Sequence, residues 1–136
     1  LNSHVQSTNT KLIIDVNPNL EIMGHPYYFN SIFQNLIENA IKYRNADRIP
    51  EIKVYTEEIN DMVKIVISDN GIGFEQKHEK RIFSVFQRLH YEEKYEGTGI
   101  GLAHCSKIIE LHTGTIWAKS KHRKFKCCQC NSNYFE

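Results

Sequence analysis

Two strand-like segments joined by a very short turn constrain the fold more than any other feature of this sequence. Residues 51–58 (EIKVYTEE) alternate in character, and residues 62–69 (MVKIVISD) are rich in Val and Ile. Residues 59–61 (IND) between them read as the turn of a hairpin. A hairpin pairs its strands antiparallel, so at least part of the sheet must be antiparallel.

Two longer segments have the apolar spacing of amphipathic helices. They cover about residues 26–43 and about residues 99–112, and Gly114 follows the second one where a glycine commonly ends a helix. The remaining predicted elements are strands at 11–16 and 115–120 and a short helix at 81–89. Helices interspersed with strands that include a hairpin predict an α/β fold, a two-layer sandwich with a mixed sheet.

Composition narrows the class of protein further. A chain of 136 residues with a net charge of +1 is expected to form one domain, and its charge gives no reason to bind nucleic acid or a membrane. No apolar run approaches membrane-spanning length, and no signal peptide is visible. Because residue 1 is Leu and not Met, we expect a piece of a longer protein. We expect this piece to be cytoplasmic, and whether the parent protein is anchored in a membrane stays open.

The four cysteines give no sign of a metal site. Cys105 falls in the second predicted helix and is expected to be a small core residue. Cys127, Cys128 and Cys130 crowd into CCQC, which lacks the usual paired C-x-x-C spacing of zinc ligands. We therefore expect a reduced chain.

A polar line on the first predicted helix is the first sign of chemistry. Asn35, Asn39 and Lys42 lie at i, i+4 and i+7, opposite the apolar stripe, and Tyr43 borders them. A solvated face would account for a lone polar line, but Asn is a poor helix former. Two amide oxygens suit Mg²⁺, and a lysine suits a phosphate.

Two glycine-rich segments supply the second and third signs. Asp69 ends a strand that looks buried, and the glycines of DNGIGF (69–74) would let a flat heterocycle approach the backbone, although Asn-Gly is also a common plain turn. Gly97, Gly99 and Gly101 precede the second helix and offer bare N–H groups to a polyphosphate. Together with the Asn–Lys line, these segments describe a site for Mg²⁺–ATP.

Four motifs carry a resemblance to a known family. Residues 33–44 (FQNLIENAIKYR) resemble an N box, 69–74 a G1 box, 81–90 (RIFSVFQRLH) an F box, and 96–120 a G2 box with its following helix and strand. In this order and spacing they resemble the catalytic, ATP-binding domain of two-component sensor histidine kinases, especially those attached to phytochrome-like sensors. These belong to the superfamily shared with DNA gyrase B, Hsp90 and MutL, which implies a Bergerat-type ATP-binding fold.

The resemblance implies a role for each matched position of the first helix. Asn39 would coordinate Mg²⁺, with Asn35 lining the same site. Lys42 would contact phosphate, and Tyr43 would lie against the nucleotide.

Further implied contacts come from the glycine-rich segments. Asp69 would bond the adenine amino group, and residues 74–97 would form a mobile lid anchored by Phe83 and Phe86. The other implied nucleotide contacts are Gly71, Ile72, Gly73 and Phe74 near the base, Arg88 at the γ-phosphate, and Gly97, Thr98, Gly99, Ile100, Gly101 and Leu102 over the phosphates. Among all of these, Asn39, Lys42 and Arg88 would be the catalytic group.

The residues also suggest which reaction the site favours. ATPases of this superfamily place a glutamate base one helical turn before the metal-binding Asn, and here that position is Asn35, an amide. We therefore expect slow attack by water, with Glu38 on another side of the helix and no substitute base. The resemblance implies phosphate transfer to a histidine on a separate dimerisation domain, followed by a response regulator. None of the seven His residues has the expected context of an acidic residue and a following Pro, so the isolated chain should not label itself.

The ends of the chain are the least regular. Residues 1–10 read as the end of a preceding linker or helix, 11–120 as the catalytic domain, and 121–136 as a divergent tail that makes a poor strand. The last strand is therefore expected to be atypical or missing, with an exposed sheet edge.

Three alternatives stay open: a partner-docking module of the same fold, a free ATPase of the superfamily, and a serine kinase.

Overall fold

The computed structural model describes residues 2–19, 24–59, 62–73, 81–84, 101–120 and 124–131. The described residues include three helices: α1 (Asn2–Ser7), α2 (Pro26–Lys42) and α3 (Gly101–Leu111). The five strands are β1 (Lys11–Asp15), β2 (Glu51–Ile59), β3 (Met62–Asp69), β4 (Thr115–Ser120) and β5 (Lys124–Asn131). A short 3-10 turn covers Arg81–Phe83. Within these described ranges, no helix is long and apolar enough to cross a bilayer.

The strands form one mixed sheet in the order β1-β2-β3-β5-β4. β1 runs parallel to β2, and every other neighbouring pair is antiparallel. β2 and β3 pair from Ile59↔Met62 to Ile52↔Asp69, which confirms the predicted hairpin. The predicted α/β fold with a mixed sheet is confirmed.

The last strand was expected to be atypical or missing, and of these two alternatives the structure excludes the missing strand. β5 is present, and it lies inside the sheet between β3 and β4, with Cys128 opposite both Ile65 and Ile116. The edges of the described sheet are therefore β1 and β4. The sequence of β5 (KFKCCQCN) is a weak strand pattern, but ladders on both sides supply the backbone hydrogen bonds that strand propensity alone does not predict.

Both long helices pack on the same face of the sheet and enclose the core. Buried residues of α2, β2, β3 and α3 form one cluster: Ile32, Leu36, Ile37, Ala40, Ile41, Ile52, Val54, Val63, Ile65, Ile67, Cys105, Ile108 and Ile109. Burying each large aliphatic side chain contributes about 1.5–3 kcal/mol relative to exposure. Val5 of α1 also packs against this cluster. The prediction that Cys105 is a core residue is confirmed, because it is fully buried.

The predicted helices agree with α2 and α3 within a residue or two, although residues 99 and 100 lie outside the described ranges. The C-cap of α3 differs from the prediction. Thr113 has the left-handed conformation (φ 52), and its N–H donates to the Glu110 carbonyl at 3.0 Å. Gly114 donates to the Ile109 carbonyl at 2.9 Å. This is a Schellman motif with Thr113, not Gly114, at the left-handed position.

Candidate functional site

Helix α2 carries the predicted polar line on its less buried side. Its start is fixed by the His25 Nδ1 atom, which accepts the Tyr27 N–H at 3.1 Å, and by Pro26 in the first turn. Because the opposite face of α2 is held in the core, the three polar residues at i, i+4 and i+7 all lie half-buried on one side: Asn35, Asn39 and Lys42.

The end of α2 is tied to the glycine-rich turn after β3. Tyr43 leaves the helical conformation (φ −99, ψ 30), and its carbonyl accepts the Ile72 N–H at 3.0 Å. The ring of Tyr43 meets the side chain of Lys42, whose Nζ lies 5.2 Å from the ring centroid. Adjacent residues within a helix do not face each other, so this contact depends on the helix ending at Tyr43.

Asp69 is a buried carboxylate at the last position of β3. It is 8% exposed, and its Oδ1 accepts the Gly71 N–H at 2.8 Å. A Cβ on Gly71 would lie 2.5 Å from the Tyr43 carbonyl oxygen and 2.8 Å from Asp69 Oδ1. Only glycine fits there, because the turn passes so close to α2. Gly73 has a left-handed conformation (φ 77), which also favours glycine.

Asn70 has a positioning role that the sequence analysis missed. Its Oδ1 accepts the Glu51 N–H at 2.9 Å, and its Nδ2 donates to the Ile49 carbonyl at 3.0 Å. These bonds fasten the loop before β2 to the end of β3, beside Asp69. The Asn-Gly pair predicted a turn, but nothing in it indicated that the Asn side chain would reach another strand.

The start of α3 meets α2 at Asn35. A Cβ on Gly101 would lie 2.9 Å from Asn35 Oδ1. Asn35 is anchored by Nδ2, which donates to the Ser31 carbonyl at 2.8 Å. Leu102 is partly buried and packs against the core. Three predicted segments therefore meet: the polar side of α2, the turn after β3 and the first turn of α3.

Several predicted contacts lie outside the described residues: Phe74, Phe86, Arg88, Gly97, Thr98, Gly99 and Ile100. The same holds for most of the predicted lid and of the predicted 81–89 helix. Phe83 is described and lies half-buried in the 3-10 turn. Glu38, predicted to be no base, accepts from Gln34 Nε2 at 3.3 Å.

The arrangement can hold a flat, amine-bearing ring and a charged tail at once. The Asp69 carboxylate can accept an N–H from a ring that lies on the bare backbone of Gly71. The Lys42 ammonium on the neighbouring helix is suited to a phosphate as a point charge.

Comparison with known proteins agrees with this geometry. The family described as histidine kinase-, DNA gyrase B-, and HSP90-like ATPase matches residues 24–130. The chain is 40% identical over 121 residues to cyanobacterial phytochrome A of Nostoc sp., covering 89% of this chain and 15% of the phytochrome. It is 36% identical over 124 residues to the sensor protein kinase WalK of Staphylococcus aureus, covering 88% of this chain and 20% of WalK.

Solved structures show the same fold. The catalytic domain of the histidine kinase ThkA has a TM-score of 0.82 at 23% identity, over 96% of this chain and 84% of that one. ThkA in complex with the response regulator protein TrrA has a TM-score of 0.78 at 21% identity, over 98% of this chain and 37% of that one.

The chain spans only 15–20% of the length of the two curated relatives, so it corresponds to one part of such proteins. The match to the ATPase family covers most of this chain. The chain belongs to the family of histidine kinase-, DNA gyrase B-, and HSP90-like ATPases and is an ATP-binding catalytic domain of the sensor histidine kinase type.

Proposed function

We propose that Asp69 binds the adenine amino group of ATP and that the polar side of α2 binds its phosphates. The observation that carries this proposal is the buried Asp69 carboxylate beside Gly71, on a turn bonded to the end of α2. A buried carboxylate is costly unless it is hydrogen-bonded. The Gly71 N–H supplies one such bond, and the adenine amino group would supply another.

Mg²⁺ would be held by Asn39. The Asn39 amide lies half-buried on α2 and makes no hydrogen bond with the part of the chain that the structure describes, so its oxygen is available as a hard ligand. Mg²⁺ usually takes few protein ligands and relies on substrate phosphates. This fits the described residues, which contain no cluster of three His, Cys, Asp or Glu side chains able to hold a metal. When bound, Mg²⁺ would neutralise phosphate charge.

The γ-phosphate would pass to a histidine on a separate domain of the parent protein. Asn35 is an amide and cannot remove a proton from water, while Glu38 is engaged with Gln34. The site can therefore orient ATP without activating water, as a phosphoryl-transferring kinase needs. The downstream partner would be a response regulator, in line with the solved complex of ThkA with TrrA, and the setting would be cytoplasmic.

The experiment is transfer of labelled phosphate in trans. The chain is incubated with γ-³²P-ATP alone and with helical-hairpin proteins that carry a His followed by Glu or Asp and then Pro. We expect no label on the chain and an acid-labile, alkali-stable label on at least one hairpin. Label on the chain itself, or an acid-stable label, would contradict histidine transfer, and the latter would indicate a serine kinase.

A further inference from the structure

Asn35 on α2 and Gly101 at the start of α3 lie so close together that no Cβ fits between them. The Oδ1 atom of Asn35 lies where a Cβ on Gly101 would be only 2.9 Å away, and Asn35 Cγ would be 3.7 Å away. Atoms at less than 3.0 Å from a Cβ are essentially absent from proteins. Among the described residues, Asn35 supplies the only side chain within 4 Å of that point.

The Asn35 side chain is held in place from its own helix. Its Nδ2 donates to the Ser31 carbonyl at 2.8 Å and lies 3.4 Å from Ser31 Oγ. With the amide nitrogen occupied in this way, the amide oxygen faces α3. Asn is unfavourable inside a helix because its side chain competes for backbone hydrogen bonds. An Asn at this position is therefore expected to make a favourable contact elsewhere.

Helices α2 and α3 also pack against each other beyond Asn35 and Gly101. The first turn of α3 therefore cannot simply move away. At the opposite end, the Phe29 ring on α2 lies 5.1 Å from the His112 ring that follows α3. Between the ends, Ile32, Leu36, Cys105 and Ile108 are buried in one cluster. Cores packed this closely transmit a displacement at one end instead of absorbing it.

We propose that Asn35 is a positioning residue: its amide and the missing side chain of Gly101 together set the distance between α2 and the first turn of α3. This inference rests on the proposed function and on the role that the family resemblance implies for Gly101 and Leu102, which would lie over the ATP phosphates. Because the Asn35 amide is fastened to Ser31, a side chain at position 101 would either break that bond or push the first turn of α3 away, with the N–H groups that we expect to face the phosphates.

The test is a double-mutant cycle of Gly101→Ala and Asn35→Ala. Each variant is measured for its melting temperature without ligand and for its affinities for ATP and for adenosine. Gly101→Ala should lower the melting temperature and weaken ATP binding by about tenfold or more, because of overpacking. Adenosine affinity should change by less than about twofold, because adenosine has no phosphates and its base is held at Asp69.

Adding Asn35→Ala to Gly101→Ala should bring the melting temperature and the ATP affinity to those of Asn35→Ala alone, because it makes room for the new methyl group. We expect the double variant to match Asn35→Ala alone within about threefold in ATP affinity. Asn39→Ala is the matched control, read by melting temperature alone because Asn39 is the proposed Mg²⁺ ligand: it removes the same amide one helical turn away and should rescue nothing.

Additive losses in the double variant, or equal rescue by Asn39→Ala, would overturn the inference. So would an equal loss of ATP and adenosine affinity in Gly101→Ala, which would indicate general loss of structure. A wild-type chain that bound no ATP would instead overturn the proposed function, and the melting temperatures would still decide whether Asn35 and Gly101 are in steric contact.

Discussion

Asn70 connects two parts of the molecule through one side chain. Its amide accepts from the Glu51 N–H and donates to the Ile49 carbonyl, so a single residue holds the start of β2 beside the end of β3. The next residue back is Asp69, whose carboxylate faces the proposed base site. The position of Asp69 therefore depends on a neighbour that does not touch the nucleotide in our proposal.

We predict that Asn70→Ala destabilises the chain by about 1–3 kcal/mol, since two hydrogen bonds each contribute about 0.5–1.5 kcal/mol. Urea unfolding followed by circular dichroism measures this. Asn17→Ala is the control, because among the described residues the Asn17 side chain bonds only to the exposed N–H of Asn19, and it should cost less than about 1 kcal/mol. Equal effects of the two substitutions would show that Asn70 does not bridge the strands.

Glu38 tests whether the site activates water. Its carboxylate bonds to Gln34 on the exposed side of α2, and the family resemblance implies that Asn35 stands where ATPases of the superfamily have their base. We predict a low ATPase rate that changes by less than about twofold in Glu38→Gln, whereas removal of a true general base costs about 10²–10⁴-fold. A steady-state phosphate-release assay decides this, and a large loss in Glu38→Gln would identify a free ATPase.

At the scale of single elements, the end of α3 contains a strained backbone conformation. Thr113 adopts φ 52 although it is β-branched, and Gly114 stands one position too late to relieve it. A left-handed conformation costs a residue with a side chain roughly 1–2 kcal/mol. The Schellman hydrogen bonds from Thr113 and Gly114 to the last turn of α3 hold this conformation in place.

Thr113→Gly should therefore stabilise the chain by about 1 kcal/mol and raise its melting temperature by a few degrees. Gly114→Ala is the paired control, and because Gly114 does not have a positive φ, its effect should be smaller. If Gly114→Ala were the more damaging change and Thr113→Gly gave no gain, the left-handed residue would be Gly114, as the sequence first indicated.

β5 is an element whose position outweighs its weak sequence pattern. It pairs with β3 over eight residues and with β4 over six, so its loss would separate β4 from the sheet. We predict that a chain shortened to residues 1–120 shows no cooperative thermal transition. Circular dichroism on the two lengths tests this, and equal melting temperatures would mean that β5 is dispensable for folding.

At the scale of the whole molecule, periodicity predicted α2, α3, β2 and β3 because their apolar faces pack on one core. It failed for β5, whose Lys and Cys residues are placed by pairing on both sides and not by their own preference. The proposed site residues on α2 and at Asp69 follow from local patterns, and their nucleotide contacts stay a prediction. The contacts of Asn35 with Gly101 and of Asn70 with Glu51 were not, because they join residues distant in sequence.

The proposed function depends above all on the binding of Mg²⁺–ATP through Asp69. The most direct measurement is a calorimetric titration with ATP, with and without Mg²⁺, beside Asp69→Asn. Asn can still accept the Gly71 N–H, so the turn should survive, but its amide offers a donor where the adenine amino group needs an acceptor. We predict binding that strengthens with Mg²⁺ and weakens about tenfold or more in Asp69→Asn. If a wild-type chain that is demonstrably folded bound no ATP, the proposed function would be contradicted and a partner-docking module would be favoured.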